Sequence, residues 1–315
     1  MHKRFVNHCT IDLSIIPDGP ILIKSGKEGA DPTKPDMEFV ETYHAGGRSI
    51  YLPGSSLKGA IRAHAERIVR TVGRDKRDTN SSLPWANDPL NDKYDYLKNV
   101  TSTSDIYKLS CFTDQIFGNT SIASRVRIED AHPDSSQPLR IEERNGVAID
   151  RVFGSVAVGP FNYQVCTAGE FKTKIHLKNF TLAQLGLIGL VLRDLNDGWF
   201  GLGFAKSRGL GTVEVKLNQA VLQYPGCQVR DGSIYGLGIN KEAWSINSLL
   251  GVGEFLEPTE AEKYGFPSKD IQYSESVTAE AMDFNFGVKL TWLGNSKDGV
   301  PELFTQAVNS WKDLL

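Results

Sequence analysis

Cysteine is scarce in this chain. Four cysteines in 315 residues, Cys9, Cys111, Cys166 and Cys227, form no CxxC pair. That spacing argues against a zinc site or a disulfide framework and makes a reducing, cytoplasmic setting the expectation. Long apolar runs are also missing. None approaches the roughly 20 residues that a membrane span needs, so no membrane partner is expected. The first residues, MHKRFVNHCTIDLSII, have early basic residues but no apolar signal core, and they alternate like a strand. An excess of positive charge is absent too, since the formal net charge is −3. This excludes a protein that coats nucleic acid with its whole surface, but leaves room for one basic groove. No internal repeat is visible. No GK followed by Ser or Thr opens a helix, and no strand-GxGxxG-helix order is present, so nucleotide-binding loops of those kinds are excluded.

What is present is ordinary globular material. Hydrophobic residues make up 40% of the chain and charged ones 23%, enough for one large domain or two smaller ones.

The richest stretch is YLPGSSLKGAIR, residues 51–62. Pro53 ends an extended run, Gly54 turns the chain, and Ser55 or Ser56 is placed to cap the helix that follows. Leu57, Ile61, Ala65, Ile68 and Val72 give that helix one apolar face. Its other side is basic: seven Lys/Arg lie between Lys58 and Arg77 against Glu66 and Asp75, a balance of 7 − 2 = +5. A solvated helix face and a phosphate-binding helix start both fit, the latter using Ser55, Ser56, Lys58, Arg62 and free backbone amides.

Further along, residues 4–15 read as a strand and 25–35 as a loop holding Glu28 and Asp31, with Asp36 just beyond. Residues 74–104 are polar and read as an excursion from the core. Residues 123–130, ASRVRIED, read as a strand with Val126 and Ile128 on one side and Arg125 and Arg127 on the other. Such a pair is either solvated or suited to a phosphodiester backbone. Residues 140–161 read as a projecting hairpin, and 170–177 as an alternating strand. Residues 181–194 read as a helix capped by Thr181, with Gly186 and Gly189 allowing close packing. In 199–215, four glycines surround Lys206, Ser207 and Arg208. A Gly-rich hairpin turn and a phosphate-approaching loop that includes Gly209 fit equally well. The tail, residues 218–315, carries a strand near 284–293 and a helix near 302–315, but no chemical motif.

Four segments in order carry a resemblance: LPGSSLKGAIR at 52–62, IFGNTSIASRVRIEDA at 116–131, IDRVFGSVAVGPFNYQVCTAGEFKTKI at 149–175 and GLGFAKSRGLGTVEV at 201–215. Together they resemble the RAMP superfamily, and within it the backbone (Csm/Cmr-type) subunits of type III CRISPR effector complexes. The resemblance covers about residues 5–217. It implies an α+β fold with a ferredoxin-like, RRM-related βαββαβ core over 1–217, insertions near 74–104 and 140–165, and a C-terminal extension over 218–315.

The resemblance also implies a function. The guide CRISPR RNA is expected along Ser55, Ser56, Lys58 and Arg62, and at Lys206, Ser207, Arg208 and Gly209, with Arg125, Arg127 and Arg151 as further contacts. Phe153, Val156 and Phe161 are expected in a thumb that interrupts the guide–target duplex. Target RNA would be cut beside it with a divalent metal ion, Mg or Mn, and an Asp before PGSS. Asp36 stands 53 − 36 = 17 residues before Pro53 and precedes Phe39-Val40, so it is the first candidate for catalysis and metal binding. Asp31 is the second, and His44 could assist. Expected partners are target RNA and other complex subunits, including a polymerase-like large subunit. The alternatives are a non-cleaving or end-capping subunit of such a complex, or a repeat-processing endoribonuclease.

Overall fold

Strict alternation over EFKTKIHL sets the centre of the sheet. In the computed structural model, which describes residues 4–26, 35–44, 47–79, 81, 83–90, 97–238 and 243–315, this stretch forms strand β8. Its Phe171, Thr173, Ile175 and Leu177 point inward while Lys172, Lys174 and Lys178 point out. Asp31 lies outside the described residues.

In chain order, β1 (His8–Pro17) precedes a small hairpin, β2 (Glu41–His44) and β3 (Gly47–Ile50). Helices α1 (Gly54–Val72), α2 (Thr103–Leu109) and α3 (Phe112–Phe117) follow. Next come β4 (Val126–Ile128), β5 (His132–Pro133), the long hairpin β6 (Arg140–Ile149) and β7 (Val156–Ala168), β8 (Phe171–Lys178), α4 (Leu182–Asn196) and β9 (Val213–Tyr224). The remainder holds short strands β10 (Cys227–Arg230), β11 (Ser233–Gly236), β12 (Trp244–Ser245) and β13 (Ser248–Leu250), helix α5 (Pro258–Tyr264), strands β14 (Ile271–Tyr273), β15 (Glu280–Ala281) and β16 (Val288–Leu293), and helix α6 (Val300–Asn309).

The main sheet is seven-stranded, ordered β15-β16-β9-β1-β8-β4, with β5 also on β8, and its pairs are antiparallel. The four strands that flank α1 and α4 thus lie in the spatial order fourth, first, third, second. The inward face, with Cys9, Ile11, Leu13, Ile175 and Leu177, joins the buried faces of α1 and α4 in one core.

Helix α4 starts as its sequence says. Thr181 accepts from the Gln184 N–H, and the Gln184 side chain reaches back to the Thr181 N–H, a reciprocal capping box. Its stripe of Leu182, Leu185, Ile188, Leu192 and Leu195 is buried. The opposite side is covered as well, by α6. A Cβ on Gly189 would stand 2.5 Å from the Phe304 ring, and one on Gly186 would stand 2.9 Å from the Ala307 backbone. Gly189→Ala is therefore expected to destabilise. Overpacking costs about 1–3 kcal/mol, more than the roughly 1 kcal/mol of helix propensity that the methyl adds. A lowered thermal midpoint checks this.

Several expectations change. Ser55 and Ser56 do not cap α1. Pro53 precedes the helix, and no side chain of its own segment bonds the first turn. The buried stripe runs Leu57, Ile61, Ala65 and Val69, whereas Val72 is exposed. The described part of 74–104 is docked, not detached. Arg74 N–H donates to the Pro84 carbonyl at 3.0 Å, Ala86 N–H to that of Arg74 at 3.1 Å, and Ala86 is fully buried. Finally, a boundary at 217 falls inside β9, and the tail's β16 pairs with β9.

Candidate nucleic-acid interface

The start of α1 is fixed by a backbone contact. Leu52 and Ala131 exchange two hydrogen bonds, at 2.9 and 2.8 Å. A Cβ at Gly54 would lie 2.2 Å from the Ile128 carbonyl oxygen, so only glycine lets the helix begin here. Gly54 N–H donates to Asp130 Oδ1 at 2.7 Å. A carboxylate of the protein thus already meets the positive helix end, leaving Ser55 and Ser56 exposed in the first turn. Lys58 Nζ donates to Ser124 Oγ at 2.8 Å. Burial, and then the Arg62 charge, lower the Lys58 pKa from its ordinary value.

Arg62 turns inward. It pairs with Glu66 at 2.8 Å and with the fully buried Asp114 at 2.6 Å, and donates to the Gly118 carbonyl at 2.9 Å. It ties α1 to α3. Arg125 is likewise not beside Arg127 on an open face. It is buried, its guanidinium 4.0 Å from the centre of the Tyr107 ring, and it donates to the Asn179 carbonyl. Alternation fails because β4 begins only at Val126. Arg127 does point outward and pairs with Glu129 at 3.1 Å. The His44 ring stacks on His132 at 3.7 Å, with Tyr51 beyond it. This places His44 against β5.

The hairpin β6–β7 projects. In its turn, Asp150 Oδ1 accepts the N–H groups of Val152 and Phe153, both at 2.8 Å. Val152 and Phe153 are 82% and 84% exposed, and Val156 and Val158 are exposed behind them. Arg151 sits in this turn, at the tip of the hairpin and not at its base. At the base, Phe161 packs over Gly146, where a Cβ would meet the ring at 2.5 Å.

The glycine-rich loop closes on that base. Lys206, Ser207 and Arg208 form one exposed 3-10 turn between left-handed Ala205 and Gly209, with φ of 57° and 83°. A Cβ at Gly203 would lie 2.2 Å from the Leu22 carbonyl oxygen, so the loop lies flat on that segment. The Arg208 guanidinium is 5.9 Å from the Phe161 ring centre and 5.1 Å from that of Phe204. Asp36 Oδ2 accepts the Asn162 N–H at 2.9 Å, and Met37 pairs with Tyr163. An exposed carboxylate and a cation–aromatic pair therefore sit on neighbouring β7 residues, Asn162 and Phe161, where the hairpin leaves the body. All three belong to segments named from the sequence.

The family model of the RAMP superfamily matches residues 17–214. The chain belongs to the RAMP superfamily. No curated protein matches it. Membership points to a CRISPR-associated subunit that works with RNA. The RAMP match runs from the last residue of β1 into β9 and stops short of the tail.

The meeting of two surface residues of this RAMP chain in one groove escaped sequence reasoning. Arg67 on α1 and Trp199, 67% exposed, line with Lys206 a groove of about 350 Å³ that joins the outer face of α1 to the glycine-rich loop. The signal was there: Ala60, Ala63 and Arg67 share one helix face with Ser56. Among the described residues no group of three or more His, Cys, Asp or Glu could hold a metal ion. Asp36 alone, exposed and with one oxygen on Asn162, fits only the mode in which one carboxylate and the phosphates of the substrate share a magnesium-like ion. Among these residues no helix is long and apolar enough to cross a membrane.

Proposed function

We propose that this RAMP chain is a guide-RNA-binding backbone subunit of a type III CRISPR effector complex that also cuts bound target RNA. The strand order fourth-first-third-second around α1 and α4 supports a ferredoxin-like, RRM-related core. The observation that carries the reading is the placement of Asp36 and Arg208 on neighbouring β7 residues, Asn162 and Phe161, where an exposed apolar hairpin leaves the body. The hairpin is the thumb: Val152, Phe153 and Val156 wedge between base steps and displace a nucleotide. An RNA strand carries its own nucleophile, the 2′-hydroxyl, and a displaced nucleotide lets it line up with the adjacent phosphate. Asp36 orients that hydroxyl and takes its proton as the 2′-oxygen bonds to phosphorus and the bond to the 5′-oxygen breaks; the departing 5′-oxygen takes a proton from water, leaving a 2′,3′-cyclic phosphate and a 5′-hydroxyl. A divalent ion, Mg or Mn, held between Asp36 and the phosphate would supply neutralising charge. The remaining partners are a polymerase-like large subunit and further subunits of a cytoplasmic complex.

Asp36→Ala in the assembled complex tests this. With a labelled complementary RNA, the cut made by this subunit is expected to slow by about 10²–10⁴-fold, with target retention unchanged. Unaltered cutting would leave an RNA-binding subunit that does not cleave.

A second expectation concerns the guide. Lys206→Ala and Arg208→Ala should each weaken binding whatever the base sequence. Each should flatten the salt dependence by about 0.7 per lost phosphate contact. Lys58→Ala should do less, because its ammonium is already spent on Ser124. A changed base preference with an intact salt slope would reject phosphate contact.

A further inference from the structure

The face of the sheet turned away from α1 and α4 carries rings that the reading above does not use. His8 on β1 and His176 on β8 belong to adjacent central strands. Thr10 is the register partner of His176, so the two histidines are diagonal neighbours on one face. Their rings stack at 5.6 Å and 28°, and Phe5, half exposed, continues the row 5.6 Å from His8. The rings are held in place. His8 Nδ1 bonds Gln223 Oε1 at 3.2 Å, and His176 Nε2 bonds Glu129 Oε1 at 2.9 Å.

These rings floor a groove of about 480 Å³. Lys58 and Ser55 border it from the first turn of α1, and Arg127 and Lys178 from the sheet. No Asp or Glu lines it, whereas a depression elsewhere on the same face is lined by Asp12, Asp134 and Glu170. Burial lowers the His8 pKa; the Gln223 hydrogen bond opposes this, and the His176, Arg127 and Lys178 charges add to it, so the net direction is down.

We propose that the open sheet face is a second RNA site, where Phe5, His8 and His176 stack unpaired bases while Arg127 and Lys178 hold the phosphates. Aromatic floor and basic rim are what a single strand needs. A duplex would keep its bases stacked on each other and could not lay them on this floor. The two histidines do not make a metal site, since each already bonds a neighbouring side chain and no third ligand joins them among the described residues. The proposal rests on the reading of the chain as an RNA-binding subunit, but shares no residue with the hairpin-base cluster.

The test is binding of a labelled oligouridylate of about 10 nucleotides to the full chain. The double variant His8→Ala/His176→Ala should bind about tenfold more weakly or worse, and His8→Phe/His176→Phe should restore affinity. Phe5→Ala, an exposed change that leaves the strands intact, should also lose affinity and guards against misfolding of the double variant. Wild-type affinity in both the Ala pair and Phe5→Ala overturns the proposal. So does rescue by Lys and not by Phe, which would mean charge alone. If Lys206→Ala/Arg208→Ala loses RNA while the histidine pair does not matter, the guide-site reading stands and the platform falls. If the wild-type chain retains no RNA, both fall.

Discussion

Target cutting is lost, and folding is not, when residues 148–158 are replaced by a two-residue Asn-Gly turn. This result is expected because the outer hairpin contributes nothing to the core. Val152, Phe153, Val156 and Val158 are exposed, and the pairs Ala148–Val158 and Ile149–Val156 join only the two strands of the hairpin to each other. An Asn-Gly turn matches the twist of the strands that it reconnects. The inner part survives, with Phe161 on Gly146, Arg208 beside it and Asp36 on Asn162. What disappears is the wedge. Unstacking a base step costs a few kcal/mol, which exposed apolar side chains can offset only if they reach between the bases. Without them the scissile phosphate stays in regular helical geometry, and Asp36 has no aligned hydroxyl to act on. The measurements are cleavage in the assembled complex, guide retention and the melting midpoint. Were these residues core, the midpoint would fall by tens of degrees. A fall of that size, or wild-type cutting by the shortened chain, rejects the thumb.

What could be read from the sequence was local. The β8 alternation, the Thr181 cap and the close-packing glycines of α4 were each signalled by residues within one element, and all three are found in the structure. The hairpin could be read from its glycines and its pattern of small and apolar residues. The failures involve partners distant in sequence. The α1 cap looked like Ser55 or Ser56 because Asp130, 76 residues from Gly54, could not be seen to take the Gly54 amide. Arg62 and Arg125 looked like phosphate ligands because Asp114 and Tyr107, which hold them, lie in other elements, α3 and α2. His8 and His176 drew no notice singly; only the register of β1 on β8 makes them a pair. Asp36 is the instructive middle case. Its distance from Pro53 nominated it, but its place against the hairpin came from the Met37–Tyr163 pairing.

The tail is where the difference matters most, and a chain ending at residue 217 is expected not to fold. That boundary looked natural because the RAMP segments end there and the texture changes. It cuts β9 in the middle, however, and removes two supports together. β16, which pairs along the outer half of β9, is lost. So is α6, whose Phe304 and Ala307 fit against Gly189 and Gly186 of α4. With β16 goes its Trp292, fully buried within the main core. A gentler version of the experiment is Trp292→Ala in the full chain. Truncating a buried Trp costs about 3–5 kcal/mol. Here it also deprives Glu302, itself buried, of the indole N–H that it accepts at 2.5 Å, leaving the Ser274 and Ser276 hydroxyls and the Glu275 N–H. At about 2–4 °C per kcal/mol for a chain of this order of size, the midpoint should fall by about 10 °C, in one transition that also takes out β8 and α1. Hydrogen exchange at Ile175 and Ile61 reports on those elements. An early transition confined to residues 218–315, with Ile175 and Ile61 still protected, would show the tail to be a separate unit, and so would a soluble chain of 217 residues that melts like the whole protein.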